Sequence, residues 1–318
     1  MSVEPNKPIV LVFLAAGVQG SAVVRAALAR GFSVRALVRD RSRIPGIPLP
    51  DVDWIEADLD SVDAMRAASA GIRHAVLQVP IGPSDAMVKH ARNAAVALCN
   101  AELQSMVLKL ASASRPVPCT EPSFVGNSRV EGALRDAGLA FATVRPTMYL
   151  DNLLKPSALR EIIQDGVFAP PIPASQRIAW TSADDCARAA ITLLERGVTG
   201  DFRIAGMQSM DGAELAASIQ AGLGLPVRYR AQPIEAFERD VDSVMGVGMG
   251  ARIGSKFRYF ASYPEEADAI LAQPFKPYPE LQGFEPLLVQ RWVRMNRQSF
   301  LQNPSGTIDT ATHDRCSP

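Results

Sequence analysis

The sequence predicts an α/β protein with a doubly wound parallel sheet and a smaller mixed α/β domain in its C-terminal part. Through the first half of the chain, short β-branched and aliphatic runs alternate with longer Ala-rich stretches of helical spacing. Several runs are apolar at nearly every position, which is typical of strands covered on both faces. A turn with two glycines joins the first run to the first helical stretch. This alternation indicates right-handed crossovers between parallel strands.

The predicted elements follow in order along the chain. In the first half, the strands are 8–14, 33–38, 53–55, 74–79, 106–110 and 141–145, and the helices are 19–30, 62–70, 85–101 and 123–137. In the second half, the helices are 150–164 with a break at Pro156, 182–196, 211–222 and 286–300, and the strands are 202–205 and 227–230. We expect loops at 166–174 and 244–250, the second of them mobile.

Composition and charge narrow the class of protein. The 318 residues include 33 Lys and Arg against 33 Asp and Glu, so general attraction to nucleic acid is not expected. The four cysteines form no C-x-x-C pair and have no histidine cluster beside them, which argues against a metal site and fits a cytoplasmic protein. The first apolar run is too short for a membrane span, which needs about 20 residues. We expect no membrane association.

The turn after the first predicted strand has the composition of a phosphate-binding loop. Gly17, Val18, Gln19 and Gly20 connect this strand to a helix. Backbone N–H groups at a helix N-terminus, together with the helix dipole, favour a pyrophosphate. Gly17 would let the phosphates approach the backbone, and Gly20 would let the helix pack on the strand. The usual third glycine is replaced by Leu14 or a neighbouring alanine, and two glycines in an ordinary turn are the alternative.

The end of the second predicted strand indicates which dinucleotide this loop binds. Arg39 ends the strand about 20 residues beyond the glycine turn, where the adenosine ribose is bound in such folds. A guanidinium there holds the 2′-phosphate of NADP, whereas an acid there would hydrogen-bond the 2′-hydroxyl of NAD. Arg43 is predicted to support Arg39, and Asp40 is predicted to face solvent. The alternative is a solvated loop with three arginines, and we favour NADP.

Two later strand ends carry further candidate contacts to the cofactor. Asp58 follows the third strand, where a carboxylate would accept a hydrogen bond from the adenine amino group. The equally weighted alternative is that Asp58 caps the helix that begins near residue 61. Gln78, Val79 and Pro80 end the fourth strand and would flank the nicotinamide, unless the proline merely terminates the strand.

Seven segments in the same order resemble the NmrA-like branch of the atypical short-chain dehydrogenases/reductases. They are AAGVQG at 15–20, VRALVRD at 34–40, EADL at 56–59, VLKL at 107–110, VEGALRDAGL at 130–139, VRPTMYLDNL at 144–153 and WTSADD at 180–185. The resemblance spans about residues 8–300, and as an ordered series it is more specific than any single motif.

This resemblance implies an NADP-binding Rossmann domain and a small substrate domain. We predict that residues 1–150, joined by 175–198, form the Rossmann domain, and that 151–174 and 199–301 form the substrate domain. Residues 302–318 are predicted to be a disordered tail. The resemblance also implies two kinds of activity: reduction of quinones, enones or related compounds, or NADP(H) sensing by a regulator that performs no chemistry.

The candidate catalytic residues depart from the family pattern. Many catalytic members carry Lys or His three residues before the Val-Glu pair, where this chain has Asn127, which cannot supply a proton near neutral pH. Ala111 replaces a serine at the end of the fifth strand, with Ser112 and Ser114 nearby. Tyr149 follows the sixth strand, although a buried structural tyrosine is the favoured interpretation. The predicted catalytic residues are Asn127, Tyr149 and Ser112. Asn127 is also predicted to contact the ribose of the cofactor.

The favoured hypothesis is therefore an NADPH-dependent oxidoreductase that reduces a small, mostly apolar carbonyl, enone or quinone. A non-catalytic NADP(H) sensor that regulates a partner protein is the first alternative, motivated by the asparagine at the cationic position. A redox-neutral isomerase or cyclase on the same fold is the second. We expect a small-molecule substrate and no metal, and both a homodimer and a regulatory protein partner stay open.

Overall fold

A computed structural model describes residues 7–44, 51–115 and 118–302, without the side chain of Arg43. All but the first residue of the predicted tail at 302–318 lies outside these ranges. The chain forms two compact units. The first contains Met1–Thr147, Ala183–Ile204 and Phe275–Pro286, and the second contains Met148–Ser182, Ala205–Pro274 and Leu287–Pro318.

The first unit is built on a parallel sheet of seven strands. These are β1 (Ile9–Val12), β2 (Ser33–Val38), β3 (Val52–Glu56), β4 (His74–Leu77), β5 (Ser105–Lys109), β6 (Ala142–Pro146) and β8 (Gly200–Ile204). Their order is β3-β2-β1-β4-β5-β6-β8, and every neighbouring pair is parallel. The chain reverses its direction of travel across the sheet after β3, so the predicted doubly wound α/β fold is confirmed.

Helices cover both faces of this sheet. The helices of the first unit are α1 (Val18–Ala29), α2 (Val62–Ser69), α3 (Ser84–Leu98), α4 (Pro122–Asp136) and α6 (Ala183–Arg196). Leu11, Leu77 and Leu108 point to the face that carries α2, α3 and α4, and they form one apolar core with those helices. The alternate residues of the same strands point to the face where α1 contacts α6. Both faces are therefore apolar, as the continuous runs in the sequence indicated.

The boundaries of the first unit differ from the predicted ranges. The segment that returns to it is Ala183–Ile204 rather than 175–198, and Phe275–Pro286 also belongs to it. The reason for the first difference is β8, which the sequence analysis assigned to the substrate domain. Val144 of β6 pairs with Phe202 of β8, so this strand completes the open edge of the sheet. The Tyr278 hydroxyl accepts a hydrogen bond of 3.0 Å from the Arg203 N–H and thereby anchors the later segment.

The second unit contains short strands and mostly short helices. They are α5 (Pro156–Arg160), β7 (Val167–Phe168), α7 (Gly212–Leu223), β9 (Arg228–Tyr229), α8 (Ile234–Met245), α9 (Met249–Ser262), α10 (Pro264–Ala267), α11 (Val289–Met295) and α12 (Arg297–Leu301). A capping box starts α7, with Asp211 and Glu214 bonded to each other's backbone N–H groups.

Three local predictions in the second unit were wrong. Residues 244–250 are not a long loop, because α8 ends at Met245 and α9 starts at Met249, with Gly246 and Gly248 both at positive φ in the turn between them. The helix predicted at 286–300 is two helices, α11 and α12, separated by Asn296. The predicted loop 166–174 contains β7.

The predicted helical segment 150–164, with its break at Pro156, is helical in three short pieces. These are a 3₁₀ helix at Leu150–Leu154, α5 from Pro156 onward, and a π-helical turn at Glu161–Asp165.

Candidate functional site

The turn between β1 and α1, which we call the glycine loop (residues 14–20), leaves three N–H groups free. Gly17 is the N-cap of α1, with φ −76° and ψ 162°, and it has no side chain to cap the helix. The Gly17 N–H donates to the Leu14 carbonyl at 3.0 Å. The N–H groups of Val18, Gln19 and Gly20 donate to no acceptor in the part of the chain that the structure describes. Such groups at a helix N-terminus suit an anion.

Leu14 takes the place of the missing third glycine. Its φ is 53°, in the left-handed region that glycine adopts most easily. The sequence alone leaves this place open between Leu14 and a neighbouring alanine, and the backbone conformation assigns it to Leu14. Because the loop adopts this turn, α1 approaches it closely, and a Cβ atom on Gly20 would lie 2.1 Å from the Leu14 carbonyl oxygen. At Gly17 the nearest atom to a Cβ would be 3.4 Å away, so space there is open toward a ligand.

The arginines after β2 differ in their contacts. Arg39 is exposed, and its guanidinium has no partner among the described residues. Arg41 donates to the Trp54 carbonyl at 3.2 Å and lies 3.8 Å from the Glu56 carboxylate. Asp40 is exposed, and its carboxylate accepts a hydrogen bond of 2.8 Å from the Ser42 N–H. The side chain of Arg43 lies outside the described residues. Arg39 is thus the guanidinium available for a phosphate group at this strand end.

The residues after β3 separate two roles that the sequence left open. The cap of α2 is Ser61, whose hydroxyl accepts a hydrogen bond of 3.3 Å from the Ala64 N–H. Asp58 is exposed and accepts a hydrogen bond of 2.9 Å from the Asp60 N–H. The capping role therefore belongs to Ser61, and the contact from Asp58 to adenine stays a prediction.

The Gln78 and Val79 side chains at the end of β4 contact other parts of the protein. Gln78 is 3% exposed, and its side-chain amide donates to the Phe13 carbonyl at 3.1 Å, which ties the end of β4 to the end of β1. Val79 is buried in the core beneath α2 and α3. Pro80 is half-buried. The predicted contact of this segment with nicotinamide would therefore come from the backbone and from Pro80 rather than from the Gln78 or Val79 side chains.

Two buried polar side chains lie on either side of the start of α4. Asn127 is 5% exposed, and its side chain makes no hydrogen bond to another described residue. The Ser114 hydroxyl, in the segment after β5, is buried and also has no partner among the described residues. Buried polar groups are nearly always paired with protein, water or a ligand. Ser112 is half-buried and makes other interactions. Among the described residues near the start of α4, Asn127 and Ser114 are thus polar groups that remain free to meet a ligand or water.

Tyr149 lies in the second unit. It is 6% exposed and its backbone forms an isolated parallel bridge to Thr181. The burial fits the structural interpretation that the sequence analysis favoured for this tyrosine. Cys119 is half-buried, and it is a free thiol, as are Cys99 and Cys186. Within the described residues, no group of three or more His, Cys, Asp or Glu side chains is arranged to hold a metal ion.

The second unit contains a mostly apolar cavity of about 200 Å³, called the apolar cavity below, that sequence reasoning did not find. Its apolar walls are formed by Met148, Ile172, Phe257, Phe260, Ala261 and Leu271, with Pro171, Pro173 and Pro264, and its polar side is formed by Ser175, Gln176 and Asp268. Behind one wall, the Tyr229 hydroxyl donates to the Ile172 carbonyl at 2.9 Å, and burial raises the pKa of this phenol. These residues are far apart in the sequence, so no motif marks the cavity before the chain is folded.

None of the helices in the described ranges has the length and apolar character needed to cross a membrane.

The seven-stranded parallel sheet, with its glycine turn after the first strand, defines a Rossmann-like α/β protein. The chain belongs to the NmrA-like family, because the sequence model of that family matches residues 6–285. The resemblance noted from the seven segments is thereby confirmed.

Three proteins illustrate the range of similar molecules. An NAD(P)H azoreductase from Xenophilus azovorans is 27% identical over 244 residues, which is 76% of this chain and 82% of the relative. The NADPH-dependent quinone oxidoreductase of Escherichia coli, crystallised with NADPH, superposes with a TM-score of 0.68 at 17% identity, covering 90% of this chain and 99% of the other. The negative transcriptional regulator NmrA, crystallised with NADP, gives 0.62 at 20% identity, covering 94% and 92%. At these identities the structural matches establish the fold alone.

Proposed function

We propose that this protein is an NADPH-dependent oxidoreductase that reduces a small, mostly apolar carbonyl, enone or quinone. The observation that carries the proposal is the pairing of the glycine loop, with three free N–H groups, and the unpartnered Arg39 at the end of β2. The loop would bind the pyrophosphate and Arg39 the 2′-phosphate. The names of the azoreductase and of the quinone oxidoreductase support the same class of activity.

The residues around this loop fit a dinucleotide. Gly17 presents an open backbone where a Cβ would stand against the phosphates, and the free N–H groups of α1 match an anion. Bound NADPH supplies the hydride, that is, one proton and two electrons. The Asn127 side chain would accept a hydrogen bond from a ribose hydroxyl or donate one to it, and so orient the nicotinamide ribose.

The chemistry of Asn127 restricts the substrate. An amide does not release a proton near neutral pH, so Asn127 cannot protonate an alkoxide as a lysine would. A quinone that accepts a hydride becomes a hydroquinone anion, a weak base that takes its proton from water. The apolar cavity of the second unit supports a ligand of the same kind, since Phe257, Phe260 and Met148 offer flat or adaptable apolar surfaces. We therefore place quinones and enones ahead of simple ketones.

The test measures oxidation of NADPH by the full chain with a naphthoquinone, a conjugated enone and a simple aldehyde. We expect turnover with the quinone, less with the enone and least with the aldehyde. Asn127→Ala should raise the KM for NADPH by about three- to tenfold, the loss of one hydrogen bond. No substrate-dependent oxidation by protein that binds NADPH would contradict the proposal.

One observation favours the alternative of an NADP(H) sensor that regulates a partner protein. By the resemblance to the NmrA-like family, Asn127 stands where many catalytic members carry Lys or His, and an asparagine cannot supply a proton near neutral pH. The regulator NmrA was crystallised with NADP. A sensor would bind NADPH tightly, leave every substrate unchanged, and bind its partner with an affinity that follows the ratio of NADPH to NADP. An isomerase or cyclase would change the mass spectrum or chromatogram of its substrate while the NADPH concentration stays constant.

A further inference from the structure

A fully buried lysine connects β5 to the glycine loop. Lys109 is the last residue of β5, and it is 0% exposed. Its Nζ donates a hydrogen bond of 2.5 Å to Oε1 of Gln19, the second residue of α1. The Nε2 of Gln19 in turn donates to the Ala111 carbonyl at 2.8 Å. Both ends of the Gln19 amide are therefore fixed by the carboxyl end of β5.

The burial of an amino group here requires an explanation. Removing a polar group from water costs free energy unless it is hydrogen-bonded, and a cation costs more. Val107 precedes Lys109 by two residues on the same face of β5, and it is fully buried without a polar atom in its side chain. Packing on this face therefore does not need a lysine. The hydrogen bond to Gln19 offsets part of the free-energy cost of removing this amine from water.

Gln19 is also one of the three residues whose backbone N–H groups point out of the N-terminus of α1. The orientation of these N–H groups depends on how the first turn of α1 sits on the sheet. A side chain held at both ends restricts that turn from the β5 side. On the opposite side, the close contact of Gly20 with the Leu14 carbonyl sets the spacing of α1 from the loop.

We propose that Lys109 and Gln19 are a positioning pair, which holds the first turn of α1 so that its N–H groups bind the pyrophosphate of the dinucleotide. Neither side chain needs to touch the nucleotide for this role. The inference rests on the cofactor assignment under the proposed function, but not on the reductase chemistry. Ordered donors raise affinity because less freedom is lost on binding.

A positioning role for Lys109 and Gln19 predicts that their loss affects binding of the pyrophosphate of NADP but not binding of its 2′-phosphate. In the proposed binding mode the pyrophosphate would meet the glycine loop, whereas the 2′-phosphate would meet Arg39, which follows β2, a different strand. Loss of the positioning pair should therefore weaken ligands that contain the pyrophosphate and spare 2′-AMP, which lacks it. A lysine that merely stabilised the fold would affect both ligands to the same extent, or neither.

The experiment measures the Kd of NADP and of 2′-AMP by calorimetry for the full-length protein and its variants. For Lys109→Met, which keeps the length of the side chain, we expect the Kd of NADP to rise about tenfold, near the upper end for one hydrogen bond, and the Kd of 2′-AMP to change less than twofold. Gln19→Met should give the same split, and the double variant should weaken NADP no further than either single variant. If Lys109→Met does not fold, Gln19→Met tests the same hydrogen bond by itself.

Val107→Ala is the matched control, because it removes buried volume from the same face of β5 without touching Gln19. It should lower the Tm and leave both Kd values unchanged. Unchanged NADP affinity in Lys109→Met and Gln19→Met, or an equal loss for both ligands, would overturn the positioning role. A wild-type protein that binds NADP but reduces no substrate would contradict the reductase proposal and leave this comparison valid, whereas no binding at all would overturn both.

Discussion

The carbonyl oxygen of Leu14 lies 2.1 Å from the position that a Cβ atom on Gly20 would occupy. No side chain fits there unless the backbone shifts, because the carbon atoms of Leu14 and Ala15 are also within 3.0 Å of that position. Gly17 differs, since its nearest neighbour would be 3.4 Å away and its φ of −76° suits any residue. The two glycines of the loop therefore have different physical roles, one in packing and one in ligand access.

This difference predicts opposite outcomes for two alanine variants. Gly20→Ala should lower both the Tm and the affinity for NADP, because α1 must move away from the loop. Gly17→Ala should leave the Tm within about 2 °C of the wild type but weaken NADP at least tenfold, since the new methyl group stands against the phosphates. Thermal melts and calorimetric titrations measure both quantities. Equal loss of Tm in the two variants would contradict this assignment.

The positive φ of Leu14 predicts that glycine is more stable than alanine at this position, the reverse of the usual order. Alanine is normally more stable in proteins than glycine, which loses more backbone entropy on folding. At φ 53° an L-residue costs about 1–2 kcal/mol, and glycine avoids that cost. Leu14→Gly should therefore unfold at a higher urea concentration than Leu14→Ala, although glycine also loses the Cβ contacts that alanine keeps. If Leu14→Ala were the more stable variant, the loop would not hold this residue in the left-handed region.

Arg39 and Arg41 form a matched pair for cofactor preference. Arg39→Ala should raise the Kd of NADPH by about tenfold or more and change that of NADH less than twofold, because only NADPH carries the 2′-phosphate. Arg41→Ala removes a guanidinium that is already bonded to the Trp54 carbonyl, so it should leave both affinities nearly unchanged. Equal effects of the two variants on NADPH would indicate a diffuse charge effect rather than a phosphate contact.

The charge of the apolar cavity predicts discrimination between related quinones. Among the described residues that line it, Asp268 is the one formal charge, and its carboxylate accepts a hydrogen bond of 2.8 Å from the Gln176 side chain. A negative charge at the wall disfavours an anionic ligand. We expect kcat/KM to be higher for 1,4-naphthoquinone than for its 2-sulfonate, and Asp268→Asn to reduce that preference at least about threefold.

Glu265→Gln is the control for this effect, because Glu265 is an exposed acid that does not line the cavity. It should keep the wild-type preference. An unchanged preference in Asp268→Asn would show that the cavity does not take the quinone.

His74 predicts a pH dependence of stability. Burial, and then the nearby Arg73, lower the pKa of His74 from its ordinary value of 6.5. Its Nδ1 lies 2.8 Å from the Ser105 hydroxyl, and its ring contacts Phe32 edge to face. Below pH 6.5 the unfolded chain therefore binds a proton at this histidine that the folded chain resists. The stabilisation is present above that pH and is lost as the pH falls toward the lowered pKa of the folded state.

Urea unfolding between about pH 7.5 and about pH 5.5 measures this dependence. The wild type should lose stability across this interval, and His74→Phe should lose less of it. His90→Phe, which alters the other described histidine, should keep the slope that His74 causes. A slope in His74→Phe as steep as in the wild type would assign the effect to other groups.

The alternation of apolar runs and helical stretches determined the fold class. A strand that is buried on both faces is apolar at nearly every position, and this local composition is visible in the sequence. The same local signals placed the glycine loop and Arg39 on the first and second strand ends. The capping box at Asp211 and Glu214 is equally local, because its bonds span only three residues.

Only the folded chain decided the features that depend on distant residues. The left-handed turn at Leu14 goes together with the close approach of α1 to the loop, and neither a leucine nor its sequence neighbours signals it. β8 joined the first unit because the edge of β6 was open, which a five-residue run cannot reveal. The pairing of Lys109 with Gln19 links residues 90 positions apart. Such contacts depend on which strand ends meet at one edge of the sheet, and that arrangement exists only once the strands have paired.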